Sequence, residues 1–294
     1  MFGIIIVNQS VGHNQYKIDR FSSEFKKRNI EVKVFTNDGT LAKIEDGNII
    51  INLPKADFVL YMDKDIYLAR MLEKAGYHLF NKADFIKLCD DKVLTYIRCA
   101  NEGIPMIKTI AGPLVYSEHL EESNYKFLDT VIEELGLPLV VKKVYGSLGE
   151  GVYIANTKEE LRNIYKEIYR NPLLFQAYMS HSYGKSIRVL IINNKVVGGF
   201  ERYNTSDFRS NFGETATSRK LEKESKFLAF ADKIAQKLDI LYAGIDLLYD
   251  ENEEPILCEI NSNAFFEEFE KCTKIDVAKL YVDMVIEEVN NEQK

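Results

Sequence analysis

The segment from Ile245 to Asn261 constrains this chain most. Ile245-Asp246-Leu247-Leu248-Tyr249 and Pro255-Ile256-Leu257-Cys258-Glu259-Ile260-Asn261 flank the polar turn Asp250-Glu251-Asn252-Glu253-Glu254, which predicts a β-hairpin. Side chains alternate along a strand, so Glu259 and Asn261 share a face that Leu257 joins. Ile256, Cys258 and Ile260 are expected on the other, apolar face. Asp246, on the partner strand, comes opposite the pair. Three hard oxygen donors on one sheet face suit Mg²⁺, which shares its coordination with substrate phosphates. They do not suit Zn²⁺, because no His or Cys is expected among them. A solvated acidic hairpin is the plainer alternative, so the rest of the chain has to supply phosphate-binding groups.

At 294 residues the chain has room for two domains. Its net charge of −7 disfavours a general nucleic-acid binder, though local cation clusters still admit a polyanionic ligand. Cys89, Cys99, Cys258 and Cys272 lack metal-ligand spacing and read as buried reduced thiols of a cytoplasmic protein. Met1–Val7 is too short and uncharged for a signal segment and reads as a strand. No apolar run approaches a membrane span. Oligomeric state stays open.

Strands expected at 3–7, 31–35, 49–51 and 58–61 alternate with helices at 16–27 and 65–75. That alternation predicts a doubly wound α/β domain over residues 1–84, with helices on both faces of a parallel sheet. Beyond it, a helical stretch at 84–101 breaks at Asp90-Asp91, and strands follow at 106–110 and 139–143. Next come a strand at 152–155, a helix at 158–169 and strands at 173–177, 187–192 and 196–201. Residues 204–220 read as a long polar loop, and a helix at 222–238 precedes the hairpin. A last helix spans about 276–289.

The glycine-rich turn Gly146-Ser147-Leu148-Gly149-Glu150-Gly151 lies between two strands. It therefore fits neither a dinucleotide fingerprint nor a Walker loop, both of which open a helix. Its glycines permit backbone N–H groups to approach a polyphosphate; a plain hairpin turn is the alternative. Lys142 ends an apolar strand just before it, placed to meet a phosphate oxygen. Lys92, on a preceding helix, is a weaker candidate with a solvated side chain as the alternative. Arg188 interrupts the apolar run Ile187–Leu190, and Arg202 ends the neighbouring strand. Guanidinium groups there would grip phosphate or carboxylate bidentately, or else pair across strands with Glu201 or Asp207.

Taken together, these pieces resemble the RimK-like carboxylate–amine ligases of the ATP-grasp superfamily. The resemblance runs from about Asn81 to the last helix. It rests on Val140-Val141-Lys142, Gly146–Val152, Ile187-Arg188, Asp207-Phe208-Arg209-Ser210-Asn211, Ala243-Gly244-Ile245-Asp246, Glu259-Ile260-Asn261 and Glu270–Thr273. It implies an ATP-grasp domain over 85–294, with a lid at about 112–175 and a mainly antiparallel C-terminal sheet with helices at about 176–294. It also implies ATP between lid and sheet, with Lys92 and Lys142 on the phosphates under Gly146, Ser147, Gly149 and Gly151. Gln176, Ala177, Tyr178 and Met179 would form the hinge that reads adenine, and Ser186 would lie near the ribose. Asp246, Glu259 and Asn261 would hold two Mg²⁺ ions, with Mn²⁺ a substitute. Arg202 and Asn211 would contact the γ-phosphate or acyl phosphate, with Arg188 a further catalytic candidate for phosphate or carboxylate. Ala177 stands in place of a hinge Glu, Ser186 in place of a ribose Asp, and Phe212-Gly213-Glu214-Thr215 in place of Arg-Gly-Gly. These departures bear on nucleotide selectivity and on the acceptor.

The implied reaction joins an amino acid such as glutamate to a carboxylate of a metabolite, peptide or protein C-terminus. It proceeds through an acyl phosphate and releases ADP. A kinase on the same scaffold and a nucleotide-binding regulatory protein without turnover remain as alternatives.

Overall fold

The computed structural model describes residues 1–9, 11–146, 149–210 and 217–292. The chain begins with a parallel sheet in the order β2-β1-β5-β6, built from β1 (Phe2–Asn8), β2 (Glu31–Asn37), β5 (Phe58–Met62) and β6 (Leu79–Phe80). Alternation along β1 divides the core. Ile5 and Val7 pack with Ile18, Phe21 and Phe25 of α1 (Val11–Lys27), while Ile4 and Ile6 pack with Leu68 and Leu72 of α2 (Ile66–Lys74) on the opposite face. The doubly wound arrangement is therefore present. The Asp65 carboxylate caps α2, accepting from the backbone N–H groups of Tyr67 and Leu68.

Two differences from expectation lie here. Helix α1 starts at Val11, more than a turn before Tyr16. Gly12 and Asn14 of its first turn border cavities, and neither adds to an apolar stripe. The turn at Asp46-Gly47, with φ of 50° and 76°, closes a hairpin between β4 (Asn48–Ile51) and the unexpected β3 (Ala42–Glu45).

The second layer is a four-stranded antiparallel sheet in the order β7-β10-β8-β9. Its strands are β7 (Thr109–Ala111), β8 (Leu139–Lys143), β9 (Val152–Ala155) and β10 (Leu173–Ala177). Helices α5 (Lys126–Leu135) and α6 (Lys158–Ile168) cover one face, burying Leu128, Val131, Leu161 and Tyr165 against Leu139, Val141 and Phe175. The strand expected at 106–110 is mostly irregular, with Met106 making only an isolated bridge to Leu257.

The third layer is an antiparallel sheet in the order β13-β12-β11-β14-β15. It comprises β11 (Lys185–Ile192), β12 (Lys195–Tyr203), β13 (Thr217–Lys220), β14 (Tyr242–Tyr249) and β15 (Pro255–Asn261). Strand β13 lies in the expected loop. All four of its residues are exposed, so no alternation marks it in the sequence. Helix α7 (Lys226–Leu238) covers one face. Part of the other face packs on α8 (Glu267–Thr273) and α9 (Val277–Glu292).

The first and third layers are firmly joined. Phe21 of α1 meets Phe266 and Tyr281 with ring centroids 5.3 Å apart in each case. Glu270 on α8 accepts from the Tyr16 hydroxyl at 2.5 Å, from Arg20 at 3.0 Å and from the Val277 backbone N–H at 2.8 Å. One carboxylate thus ties α1 to the start of α9.

Candidate active site

The three layers enclose a cavity of about 560 Å³. Its floor is the β14–β15 hairpin and neighbouring β11. Asp246 stands opposite Glu259 in the ladder, and Gly244 opposite Asn261. Asp246, Glu259 and Asn261 all border the cavity, as their spacing predicts.

The expected alternation fails at one point. The ladder steps from Asp246–Glu259 to Leu247–Leu257, leaving Cys258 as the extra residue of a β-bulge. Leu257 therefore turns into the core beneath α7, and Cys258 borders the cavity. This corrects the expectation that Leu257 shares the oxygen face and that no cysteine approaches it. Burial pushes the Cys258 thiol up, so it stays protonated and apolar in character. It lies 3.9 Å from the Lys142 ammonium. Cys258 and Cys272 are also only partly buried, whereas Cys89 and Cys99 are buried as expected; all four are free.

Charge on the floor is organised around Asp246. Arg188 grips it through two nitrogens at 2.5 and 2.6 Å, and the Asn261 amide donates to it at 3.0 Å. Gly244 leaves room for this pair, since a Cβ there would lie 3.0 Å from Arg188 and 2.8 Å from Ala264. Burial works against the Arg188 charge, but Asp246 outweighs it and raises the pKa. Arg202 donates to Glu268 at 2.8 and 3.0 Å and lies 3.9 Å from Asp246. Burial, then the neighbouring Arg188, lower its pKa. Two buried guanidinium groups side by side make this end of the floor receptive to an added anion. Neither pairs with Glu201 or Asp207; Glu201 instead engages Tyr203, Tyr249 and Arg219. Arg219 pairs with Glu201 across β12 and β13 at 3.0 Å, and Arg209 pairs with Asp207, two residues away, at 2.9 Å.

The roof is the uncovered face of the second sheet. Val140 and Lys142 point into the cavity because Leu139 and Val141 point into the helices. Lys92 opens α4 (Lys92–Cys99), which Asp91 caps. It is buried, not solvated. Its ammonium donates to the carbonyls of Val144 at 3.3 Å and Gly146 at 3.0 Å and lies 3.8 Å from Glu259. Burial lowers its pKa, and Glu259 opposes the shift. Gly146 and Gly149 border the cavity with φ of 146° and 78°, values that favour glycine. Gly151 does not border it. Its carbonyl accepts from the Lys143 N–H at 2.9 Å and closes the turn. Ser147 and Asn211 lie outside the described residues, as does the segment 212–215.

Gln176, Ala177, Tyr178 and Met179 border the apolar end of the cavity, near Val140 and Leu248. The Gln176 amide donates to the Thr109 hydroxyl at 2.9 Å, while its oxygen finds no partner among the described residues. Ser186 also borders the cavity and shares a hydrogen bond with Ser210.

The sequence reading missed the wall contributed by the first layer: Asn8, Asn14, Asp63 and Lys64, with Phe265 beyond β15. The available signal was positional. Asn8 ends β1 and Asp63 follows β5, at the carboxyl ends of parallel strands, where such sheets place their ligands. Lys17, behind this wall, is fully buried, and its ammonium donates to the Asn263 side chain at 2.5 Å. Burial drops its pKa to about 7. The unfolded chain then binds more protons than the folded one between about pH 7 and the ordinary lysine value of 10.5. Stability of the empty protein is expected to gain a contribution as pH rises through that window. Urea midpoints at pH 6.5 and 9 check this: Lys17→Met should remove that pH-dependent gain.

Two carboxylates and one amide oxygen from adjacent strands fit a hard cation. Among the described residues, no group of three or more His, Cys, Asp and Glu side chains is arranged to hold a metal. A third oxygen from this face would have to come from the Asn261 amide. Among the described residues, no helix is long and apolar enough to cross a membrane.

Comparison with known proteins shows the family of this chain. A RimK-like ATP-grasp domain model matches residues 89–285. An uncharacterized protein of Mycoplasma genitalium is 35% identical over 85% of this chain and 86% of its own length. Human N-acetylaspartylglutamate synthase A is 33% identical over 79% of this chain, which spans 58% of that longer protein. A probable alpha-L-glutamate ligase of Maridesulfovibrio salexigens is 30% identical over 74% of this chain and 70% of its own length. Among solved structures, D-cycloserine synthetase superposes with a TM-score of 0.75 at 12% identity, covering 98% of this chain and 100% of the other. The Bacillus anthracis D-alanine–D-alanine ligase gives 0.74 at 20% identity, covering all of both chains. The chain belongs to the RimK-like ATP-grasp family and is an ATP-dependent ligase that forms carbon–nitrogen bonds.

Proposed function

We propose that this ligase activates a small carboxylate as an acyl phosphate and joins it to the amino group of an acidic amino acid, with glutamate the leading candidate. One observation carries the reading. Lys92, Lys142, Arg188 and Arg202 converge with Asp246, Glu259 and Asn261 on one cavity beneath a glycine turn. That is a site for a polyphosphate and for transfer of its end group. The names of the relatives support glutamate as one partner.

In this reading the adenine enters the apolar end, where the unpartnered Gln176 oxygen accepts a hydrogen bond. Lys142 and Lys92 neutralise the phosphates, and Gly146 and Gly149 let the loop backbone approach them. Asp246, Glu259 and Asn261 would hold Mg²⁺, two ions if Glu259 bridges, and such ions supply charge neutralisation during transfer. Arg202 and Arg188 hold the γ-phosphoryl group as the substrate carboxylate attacks it. The amine then displaces phosphate from the acyl carbon. Closure of the second sheet over the floor would exclude water, which otherwise hydrolyses the acyl phosphate.

The test is ADP release across a panel of carboxylates, including N-acetylaspartate and citrate, with and without L-glutamate. Hydroxylamine in place of glutamate should give a hydroxamate with the true acid. AMP as product would overturn the acyl-phosphate route, and ADP release indifferent to every amine would favour a kinase.

A further inference from the structure

A second cavity of about 660 Å³ lies beside the first, between α1, the start of α8 and Ser218. Phe265 borders both cavities. Glu268 borders the second while holding Arg202, which borders the first. The two spaces therefore adjoin where the acyl phosphate would form.

The walls of this second cavity carry charge unevenly. Lys17 is 1% exposed and stands over the Phe265 ring at 4.4 Å, and among the described residues its ammonium has one hydrogen bond, to Asn263. Among the described residues no carboxylate lies within 4 Å of it. A buried ammonium with one hydrogen bond leaves donors unfilled at a real cost, consistent with its lowered pKa. On the other side, Glu268 spends one oxygen on Arg202 and its second oxygen has no hydrogen bond among the described residues. Glu267 pairs with Lys271 in solvent-exposed fashion. A cation short of acceptors and a carboxylate with a spare oxygen thus face one space, lined also by Tyr16 and Phe266. Neither is used in nucleotide binding as described above.

We propose that this second cavity receives the amine substrate, an α-amino acid whose carboxylate docks on Lys17 and whose ammonium docks on Glu268, beside Arg202. The inference rests on the ligase reading and adds where the amino acid sits. Glu268 is the natural delivery point, because its other contact is the guanidinium at the acyl-phosphate end of the main cavity. The site selects for a free α-carboxylate. A simple amine, or hydroxylamine, has no use for Lys17 and enters without it.

The probe is L-glutamate, titrated calorimetrically into the full chain holding Mg²⁺ and a non-hydrolysable ATP analogue. Wild-type protein should bind it, and Lys17→Met should weaken it by at least about tenfold, the loss of one charge-assisted contact. Binding of the ATP analogue to Lys17→Met serves as the control for folding. The methyl ester of L-glutamate at the α-carboxylate should bind wild type about as weakly as L-glutamate binds the variant. Equal L-glutamate affinity in both proteins, or equal affinity of ester and free acid, would overturn the proposal. So would absence of binding by L-glutamate, L-aspartate and L-alanine to wild type. Failure of the ligase reading itself shows differently, as no hydroxamate from any carboxylate.

Discussion

Glu259→Gln is expected to lower turnover by about 10³-fold or more while leaving the fold intact. Among the described residues, Glu259 is the floor carboxylate free of any guanidinium; its one cation within 4 Å is Lys92, at 3.8 Å. Asp246 by contrast is already gripped by Arg188. Glu259 is thus the carboxylate most available to a divalent ion. Glutamine keeps the shape and removes the charge, and loss of one preorganised electrostatic contact typically costs 10²–10³-fold, about 2.7–4 kcal/mol. Loss of a bridging ligand should reach or exceed the top of that range. The side chain is partly exposed and sits on the cavity face of an edge strand, so its replacement disturbs no core contact. Steady-state ADP release at saturating Mg²⁺ measures the effect. Turnover within a few-fold of wild type would remove Glu259 from the metal set.

Lys142→Ala is expected to lower kcat/KM for ATP by about 10²–10³-fold, with little change in the urea midpoint. Lys142 reaches into the cavity from β8 while its neighbours Leu139 and Val141 hold the strand on the helices. Its nearest recorded side-chain partner is the Cys258 sulfur at 3.9 Å, a weak contact. The ammonium therefore makes little of its own structure and is available to a phosphate. Lys92 differs: it already holds the carbonyls of Val144 and Gly146, so its removal should also loosen the glycine turn. Unchanged ATP affinity together with unchanged kcat in Lys142→Ala would rule out the phosphate role.

The sequence made the fold class readable where period and punctuation agree. The β1–α1 unit and the 245–261 hairpin are the examples. It failed where a residue's surroundings are not its own element. In the first turn of α1, Gly12 and Asn14 border cavities and leave no apolar trace of the helix. Strand β13 is exposed throughout and reads as loop for the same reason. The Cys258 bulge shows a different limit: one extra residue in one strand inverts the faces beyond it, and nothing in the local sequence announces it.

The candidate site was legible for residues that are anomalous in their element. Arg188 within an apolar strand and Lys142 at the end of one stand out, and both border the cavity. The burial of Lys92 is not legible in its own helix, because it depends on Val144 and Gly146 folding over it. The partners of Arg188 and Arg202 were not legible, since Asp246 and Glu268 lie 58 and 66 residues away. The approach of Asn8, Asn14 and Lys17 to the cavities depends on the first layer closing against the third.

The central claim is that a substrate carboxylate is phosphorylated before the amide forms. It is tested most directly by labelling the carboxylate oxygens with ¹⁸O and following the label through turnover with L-glutamate. The account predicts one ¹⁸O atom delivered to inorganic phosphate for each amide made, with ADP as the nucleotide product. Label confined to the amide product, or released in AMP, would contradict it.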